Sequence, residues 1–202
     1  MRLLTVLMAT CNGAATLPKV LEAYCALAAP AHGWRLLVAD DGSTDATAAV
    51  LTAYAARLPL RLLRRQRRGK NAALNALLEL ALATADSALF VFSDDDATPA
   101  ADWLVQLAAC ADAHPDCALF GGAIAPDWGA PAPGWIARVV PLGITYALTD
   151  VADGPVFPGL VWGPNMAVRR SVLPATSTCP RMSTGLARRT FGAESCTMVT
   201  RS

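Results

Sequence analysis

The 202-residue sequence predicts an α/β fold, a mostly parallel sheet with helices on both faces. Short apolar runs of strand character alternate with stretches whose apolar residues recur at helical spacing, which is the pattern of strand–helix–strand units. Three polar strings, "ATCNG", "ADDGSTD" and "FSDDDATP", each follow one of the apolar runs. In open sheets of this kind, ligands bind outside the carboxyl ends of the strands, so one sheet edge would gather all three. Hydrophobic residues make up 54% of the chain and mean hydropathy is +0.37, enough for a packed core without disulfides or metal.

The elements follow in order. "LLTVLMA" (3–9) reads as a buried strand. The turn signal "TCNG" follows it, and then "TLPKVLEAYCALAA", where Leu17, Val20, Leu21, Tyr24 and Leu27 share one helical face. Thr16 is positioned as its N-cap, with Pro18 in the first turn. "WRLLVA" (34–39) is a second strand, and Ser43, Thr44 or Asp45 would cap the helix "ATAAVLTAYAARL". "LRLL" (60–63) is a third strand, and "NAALNALLELALA" (71–83) a strong helix former. "ALFVF" (88–92) is a fourth strand that runs into the acidic triplet. "AADWLVQLAACADA" is a helix, and "CALFGGAIAP" a fifth strand. Beyond about residue 123 the pattern loosens. "PDWGAPAPGW" and "DGPVFPGLVWGPN" are rich in proline, glycine and tryptophan, as irregular binding loops at a sheet edge are.

Formal net charge is +1, so no global field draws the chain to nucleic acid or acidic lipid. Six scattered cysteines show no C-x-x-C, and His32 and His114 stand alone, which argues against a zinc site and for reduced thiols in the cytoplasm. The apolar run after Arg2 stops after about seven residues and enters a turn, so a strand fits better than a secretion signal. No stretch reaches the roughly 18 apolar residues of a spanning helix. The expectation is a soluble cytoplasmic protein, at most peripheral at the inner face of a membrane.

Of the 16 acidic residues, six fall in "ADDGSTD" and "SDDD". Adjacent carboxylates that stay ionised together require a cation or solvent. On an extended strand Asp94 and Asp96 point the same way, and Asp95 oppositely, unless the backbone turns there. Carboxylates suit hard ions such as Mg²⁺ or Mn²⁺, which bridge phosphates. The competing reading is a solvated loop tip with Asp96 or Thr98 capping the next helix. Asp40 and Asp41 would bind a base edge or a ribose hydroxyl, or simply belong to a strand-to-helix connection. The run "RLLRRQRRGK" lacks interleaved aromatics and any RNA-binding signature, so it reads as a solvated loop at the rim of the site with Lys70 reaching phosphate. Trp128, Trp135 and Trp162 would either stack on a sugar or anchor the loops by packing.

Taken in order, "VLMATCNGAATLPKVLEA", "LLVADDGSTDATAAVL", "RRGKNAALNALLELA" and "ALFVFSDDDATPAADWL" resemble the family-2 glycosyltransferases, with their Rossmann-like nucleotide-sugar-binding (GT-A) fold. The likeness covers about residues 3 to 105 and resumes at "GPNMAVRRSVL" (163–173), similar to the family's G-x-N-x-A-x-R-R segment. The resemblance implies a transferase domain over 1–175 and a divergent or truncated tail over 176–202. It implies that Thr10 and Asn12 line the base pocket, where Asp41, with Asp40, hydrogen-bonds the base. Lys70 and Asn75 would flank the diphosphate and sugar. Asp94 would reach the ribose or the metal, with Asp95 as a further substrate contact and Asp96 coordinating Mg²⁺ or Mn²⁺. Asn165 would lie near sugar or acceptor. The implied partners are a UDP-, GDP- or dTDP-sugar donor and a saccharide or lipid-linked acceptor, with no nucleic acid. The implied reaction is metal-dependent, inverting sugar transfer.

Two departures from the family pattern stand out. Cys11 occupies a position where an aromatic often stacks on the base. The family's base, a carboxylate after the G-x-N-x-A segment, has one candidate here, Glu194 in "FGAES". The tail is otherwise polar and without apolar periodicity, so a nucleotide-sugar-binding remnant lacking a general base is the alternative. A nucleotidyltransferase would want a glycine-rich basic loop after the first strand, and "TCNGAATLP" is not one.

Overall fold

The computed structural model describes residues 3–173, apart from 85, 130, 132, 133 and 150, together with a strand at 196–200. The five predicted strands are β1 (Leu3–Thr10), β2 (Trp34–Asp41), β3 (Leu60–Arg65), β4 (Ser87–Asp94) and β5 (Cys117–Gly122). Between them lie α1 (Leu17–Cys25), α2 (Thr47–Tyr54), α3 (Lys70–Leu82) and α4 (Trp103–Ala113). Past β5 come two short helices, α5 (Ile136–Val139) and α6 (Leu142–Tyr146), then β6 (Gly154–Pro155), β7 (Met166–Arg169) and β8 (Cys196–Thr200). The sheet order is β3-β2-β1-β4-β7-β5-β8-β6.

The pleat of β1 shows why helices cover both faces. Leu4, Val6 and Met8 pack with Leu17, Leu21, Leu51 and Leu104 of α1, α2 and α4. Leu7 and Ala9 point the other way, onto Ala73, Leu74, Leu77 and Leu78 of α3. Side chains alternate along a strand, so a strand buried on both faces must be apolar throughout, as "LLTVLMA" is. Fully burying one such leucine contributes roughly 1.5–3 kcal/mol.

Three strands are not legible in the sequence. β7 runs antiparallel between β4 and β5, pairing Phe92 with Met166 and Gly121 with Met166. This reversal brings the amino end of β7, and Asn165 just before it, to the carboxyl end of β4. Arg169 and Arg170, the R-R of the predicted segment, cap helix ends. Arg169 donates to the Ala111 and His114 carbonyls at the end of α4, and Arg170 to Leu82 O at the end of α3. Those carbonyls have no partner within their helices, and a guanidinium there also suits the helix dipole. β8 pairs parallel with β5 and antiparallel with β6, so part of the tail lies in the sheet.

Smaller corrections concern caps and thiols. Thr16 precedes α1, but its hydroxyl donates to Gly13 O rather than accepting from the helix. Asp45 is the residue that accepts from Thr47, through both backbone N and hydroxyl. Cys11, Cys25 and Cys110 are free thiols as expected, whereas Cys117 is in a disulfide.

Candidate active site

Strand register sets the first layer of the site. Thr10, last in β1, lies beside Asp40 of β2, while Ala9 pairs with Asp94 of β4. Thr10 therefore faces the turn after Asp94, and its hydroxyl donates to Asp95 Oδ2 at 2.5 Å. Gly13 covers this contact; a Cβ there would fall 2.9 Å from Asp95 Oδ2 and closer still to Thr10 Oγ1. The loops after β1 and β2 are also joined. Asn12 adopts φ 57°, its N donates to Ser43 Oγ at 2.9 Å, and its Oδ1 accepts from Thr44 N at 2.9 Å. Ala14 N donates to Asp45 Oδ2 at 3.2 Å.

Asp40 and Asp41 extend β2 beyond its expected end and are 2% and 3% exposed. A buried carboxylate must be hydrogen-bonded or paired. Asp40 Oδ1 accepts from Ser43 N at 2.9 Å, and Arg64 lies 3.7 Å from its other oxygen. Asp41 accepts from Arg68 N at 3.1 Å and Gly69 N at 2.6 Å, with Arg65 Nε at 3.3 Å. Both arginines are cross-strand neighbours in β3. The basic run is thus strand through Arg65 and loop only from Gln66, and its loop is held by Asp41. Gly42, at φ 78°, lets Arg67 pass at a distance where a Cβ would meet its backbone N at 2.8 Å. The held loop starts α3 at Lys70, whose Nζ reaches Asp94 Oδ1 at 2.6 Å.

A cleft of about 1120 Å³ opens over the carboxyl end of β4, with Asp94 and Asp96 on its wall. Asn165 lines it too, and its amide is engaged at both ends. Oδ1 accepts from Trp103 Nε1 at 2.8 Å, and Nδ2 donates to Ala123 O at 3.1 Å. Gly122 makes room for it, since a Cβ there would lie 2.9 Å from Asn165 Cγ. Lys19 of α1 and Asp127 form an ion pair within the same lining. The Lys19 ammonium, aided by Gly129 N, holds the Asp127 carboxyl below the usual carboxylate range. The Tyr24 hydroxyl is buried, and burial raises its pKa.

The triplet divides its work after the strand ends. Asp94 takes Lys70, Asp95 takes Thr10, and Asp96 is exposed to the cleft without a hydrogen-bond or ion-pair partner among the described residues. Burial raises the Asp95 pKa against the Thr10 hydrogen bond, and the charges of Asp96 and Asp94 add to the rise. Among the described residues no three His, Cys, Asp or Glu side chains are grouped to hold a metal. Two carboxylates on one wall fit an ion such as Mg²⁺ or Mn²⁺ that takes its other ligands from water and substrate phosphate, not one caged by protein.

The sequence model for glycosyl transferase family 2 matches residues 5–174. The chain belongs to this family. No curated protein matches it. Among solved structures, S. aureus TarS (residues 1–349) in complex with UDP-GlcNAc has a TM-score of 0.63 at 19% identity, over 85% of this chain and 46% of that one. Mannosyltransferase PcManGT from Pyrobaculum calidifontis, in complex with GDP-Man and Mn²⁺, has a TM-score of 0.60 at 24% identity, over 85% and 47%. Glucosyl-3-phosphoglycerate synthase from Mycobacterium tuberculosis, with Mn²⁺, UDP-glucose and phosphoglyceric acid, has 0.53 at 22%, over 85% and 58%. These likenesses show the GT-A fold; the chain spans about half the length of each.

In this family 2 chain, Thr10, Asn12, Asp40, Asp41, Lys70, Asp94, Asp95, Asp96 and Asn165 all lie in the strand-end loops or the cleft they border. Asn75 sits half-buried on α3, one turn beyond Lys70. Glu194 lies outside the described residues. Lys19, Asp127 and the cleft-lining Trp103 were not singled out from sequence; an isolated Lys or Asp in "LPKV" or "APDW" carries no pattern. Trp128, Trp135 and Trp162 do not line the cleft. Trp128 packs against Tyr146, ring centroids 4.9 Å apart. Among the described residues, no helix is long and apolar enough to cross a membrane.

Proposed function

We propose that the protein transfers a sugar from a nucleoside-diphosphate donor to an acceptor hydroxyl, with inversion and with the aid of a divalent cation. The observation that carries this reading is the meeting of Asp94, Asp96 and Asn165 on one cleft, with Lys70 on Asp94, in a family 2 chain. The nucleotide-sugars and Mn²⁺ bound by PcManGT and the mycobacterial synthase support the donor class and the metal. Thr10, Asn12, Asp40 and Asp41 form the base end of the site. Asp94 and Asp95 border the ribose, and Lys70 and Asn75 the diphosphate. Asp94 and Asp96 would hold Mg²⁺ or Mn²⁺, which when bound neutralises charge on the departing diphosphate. Asn165, fixed by Trp103 and Ala123, orients sugar or acceptor.

For transfer, a carboxylate takes the proton of the acceptor hydroxyl as the acceptor oxygen bonds to the anomeric carbon and the bond from that carbon to the diphosphate breaks, releasing nucleoside diphosphate. Glu194 is the proposed base, in the divergent 176–202 tail that follows a transferase domain of 1–175. Donor binding without transfer is the second reading. It is favoured by the state of the cleft's described carboxylates: Asp94 is paired with Lys70, Asp127 with Lys19, and Asp96 is assigned to the cation.

Calorimetric titration with UDP-, GDP- and dTDP-sugars, with and without Mn²⁺, tests both. One nucleotide class should bind only with Mn²⁺, and Asp96→Ala should weaken that binding by at least about tenfold, as loss of a metal-ligating carboxylate does. Release of free nucleoside diphosphate alongside binding marks an enzyme, and its absence marks the second reading. No nucleotide binding at all rejects the proposal.

A further inference from the structure

We propose that Lys70 is a resident counter-ion: its ammonium neutralises Asp94 in the free protein and moves to the donor's diphosphate when a divalent cation takes its place. The inference rests on the donor-binding reading above and adds to it a definite exchange of charge.

Among the described residues, Lys70 is the sole ion-pair partner of the triplet, at 2.6 Å from Asp94 Oδ1. Three consecutive carboxylates repel one another, so removing that partner leaves net negative charge on the cleft wall. Nothing in α3 favours a cation at its first residue, because the helix dipole is positive there. The position is therefore held from outside the helix. Asp41 grips the N–H of Gly69, immediately before Lys70, at 2.6 Å, and so sets where the lysine backbone starts. With the backbone fixed, the side chain is the part free to move; it is 54% exposed on a flexible four-carbon stem.

A divalent ion at Asp94 and an ammonium 2.6 Å from the same carboxylate would repel each other. A diphosphate bound beside that ion draws the lysine away, and each event then favours the other, as linkage requires. Metal alone must compete with Lys70; metal with diphosphate recruits it. The sign of the Lys70 contribution to metal binding should accordingly reverse when nucleotide is added.

Mn²⁺ affinity measured by electron paramagnetic resonance tests this in the full chain, with Mn²⁺ alone and with saturating UDP or GDP. Lys70→Met should bind Mn²⁺ alone roughly fivefold more tightly than the wild type, and Lys70→Arg about as the wild type does. With nucleoside diphosphate present the order should invert, Lys70→Met becoming the weaker of the two. Equal or weaker binding of Mn²⁺ alone by Lys70→Met, in a protein whose wild type binds nucleotide with Mn²⁺, overturns the counter-ion role and leaves the donor reading standing. Failure of the wild type to bind Mn²⁺ under either condition overturns both.

Discussion

Thr10 and Asp95 are 85 residues apart in sequence, yet one hydrogen bond between them joins the loops after β1 and β4. Gly13 is the residue that permits it. The backbone there is ordinary, so the requirement is space and not a left-handed turn. Gly13→Ala should force Thr10 or Asp95 to move and cost about 1–3 kcal/mol, the usual range for an added methyl in a packed site. Urea denaturation measures the cost, and a variant as stable as the wild type with unchanged donor binding counts against it. The sequence showed three aspartates at a strand end but not their separate partners. Which side chain turns to Thr10, Lys70 or the cleft depends on the turn after Asp94, and no local signal encodes that turn.

Between α1 and α2 the apolar contact is edged by a polar clasp. Glu22 of α1 accepts from Tyr54 at 2.8 Å and from Arg57 at 2.6 and 2.9 Å, just past the end of α2. The Arg57 guanidinium, then the Tyr54 hydroxyl, lower the Glu22 pKa from 4.5 to about 2. A carboxyl whose pKa falls on folding stabilises the fold above its unfolded value, and this contribution is lost as pH drops through the folded one. Glu22→Gln should therefore flatten the fall in stability between about pH 4.5 and 2, read from thermal melts across that range. An identical acid limb in variant and wild type would rule the clasp out as a stability element. Helices α1 to α4 and five strands were legible because apolar residues at helical spacing alternate with short apolar runs. β6, β7 and β8 were not. They span two, four and five residues and lie in segments rich in glycine, proline, arginine and threonine, and β7 owes its place to neighbours on both sides.

Across the whole molecule, the general rule for open sheets foretold which loops meet before any contact was known, because parallel strands deliver their following loops to one edge. That rule covers Thr10, Asp40, Asp41 and Asp94 to Asp96. It says nothing of Asn165, which comes to the same edge by preceding a reversed strand, nor of Lys19 and Asp127, which face each other only once β5 is in place. The same layout governs how the protein can be handled. β1 starts at Leu3 on the far side of the sheet, whereas β8 ends at Thr200 opposite Gly122, the glycine that makes room for Asn165. A surface tether at the Leu3 end of β1 leaves the cleft open to solution, and one at the Thr200 end of β8 crowds its rim. Biosensor chips loaded in the two orientations should differ accordingly, with nucleotide affinity matching the solution value only for attachment at the β1 end. Equal affinities in both orientations would mean that the β8 end does not reach the cleft.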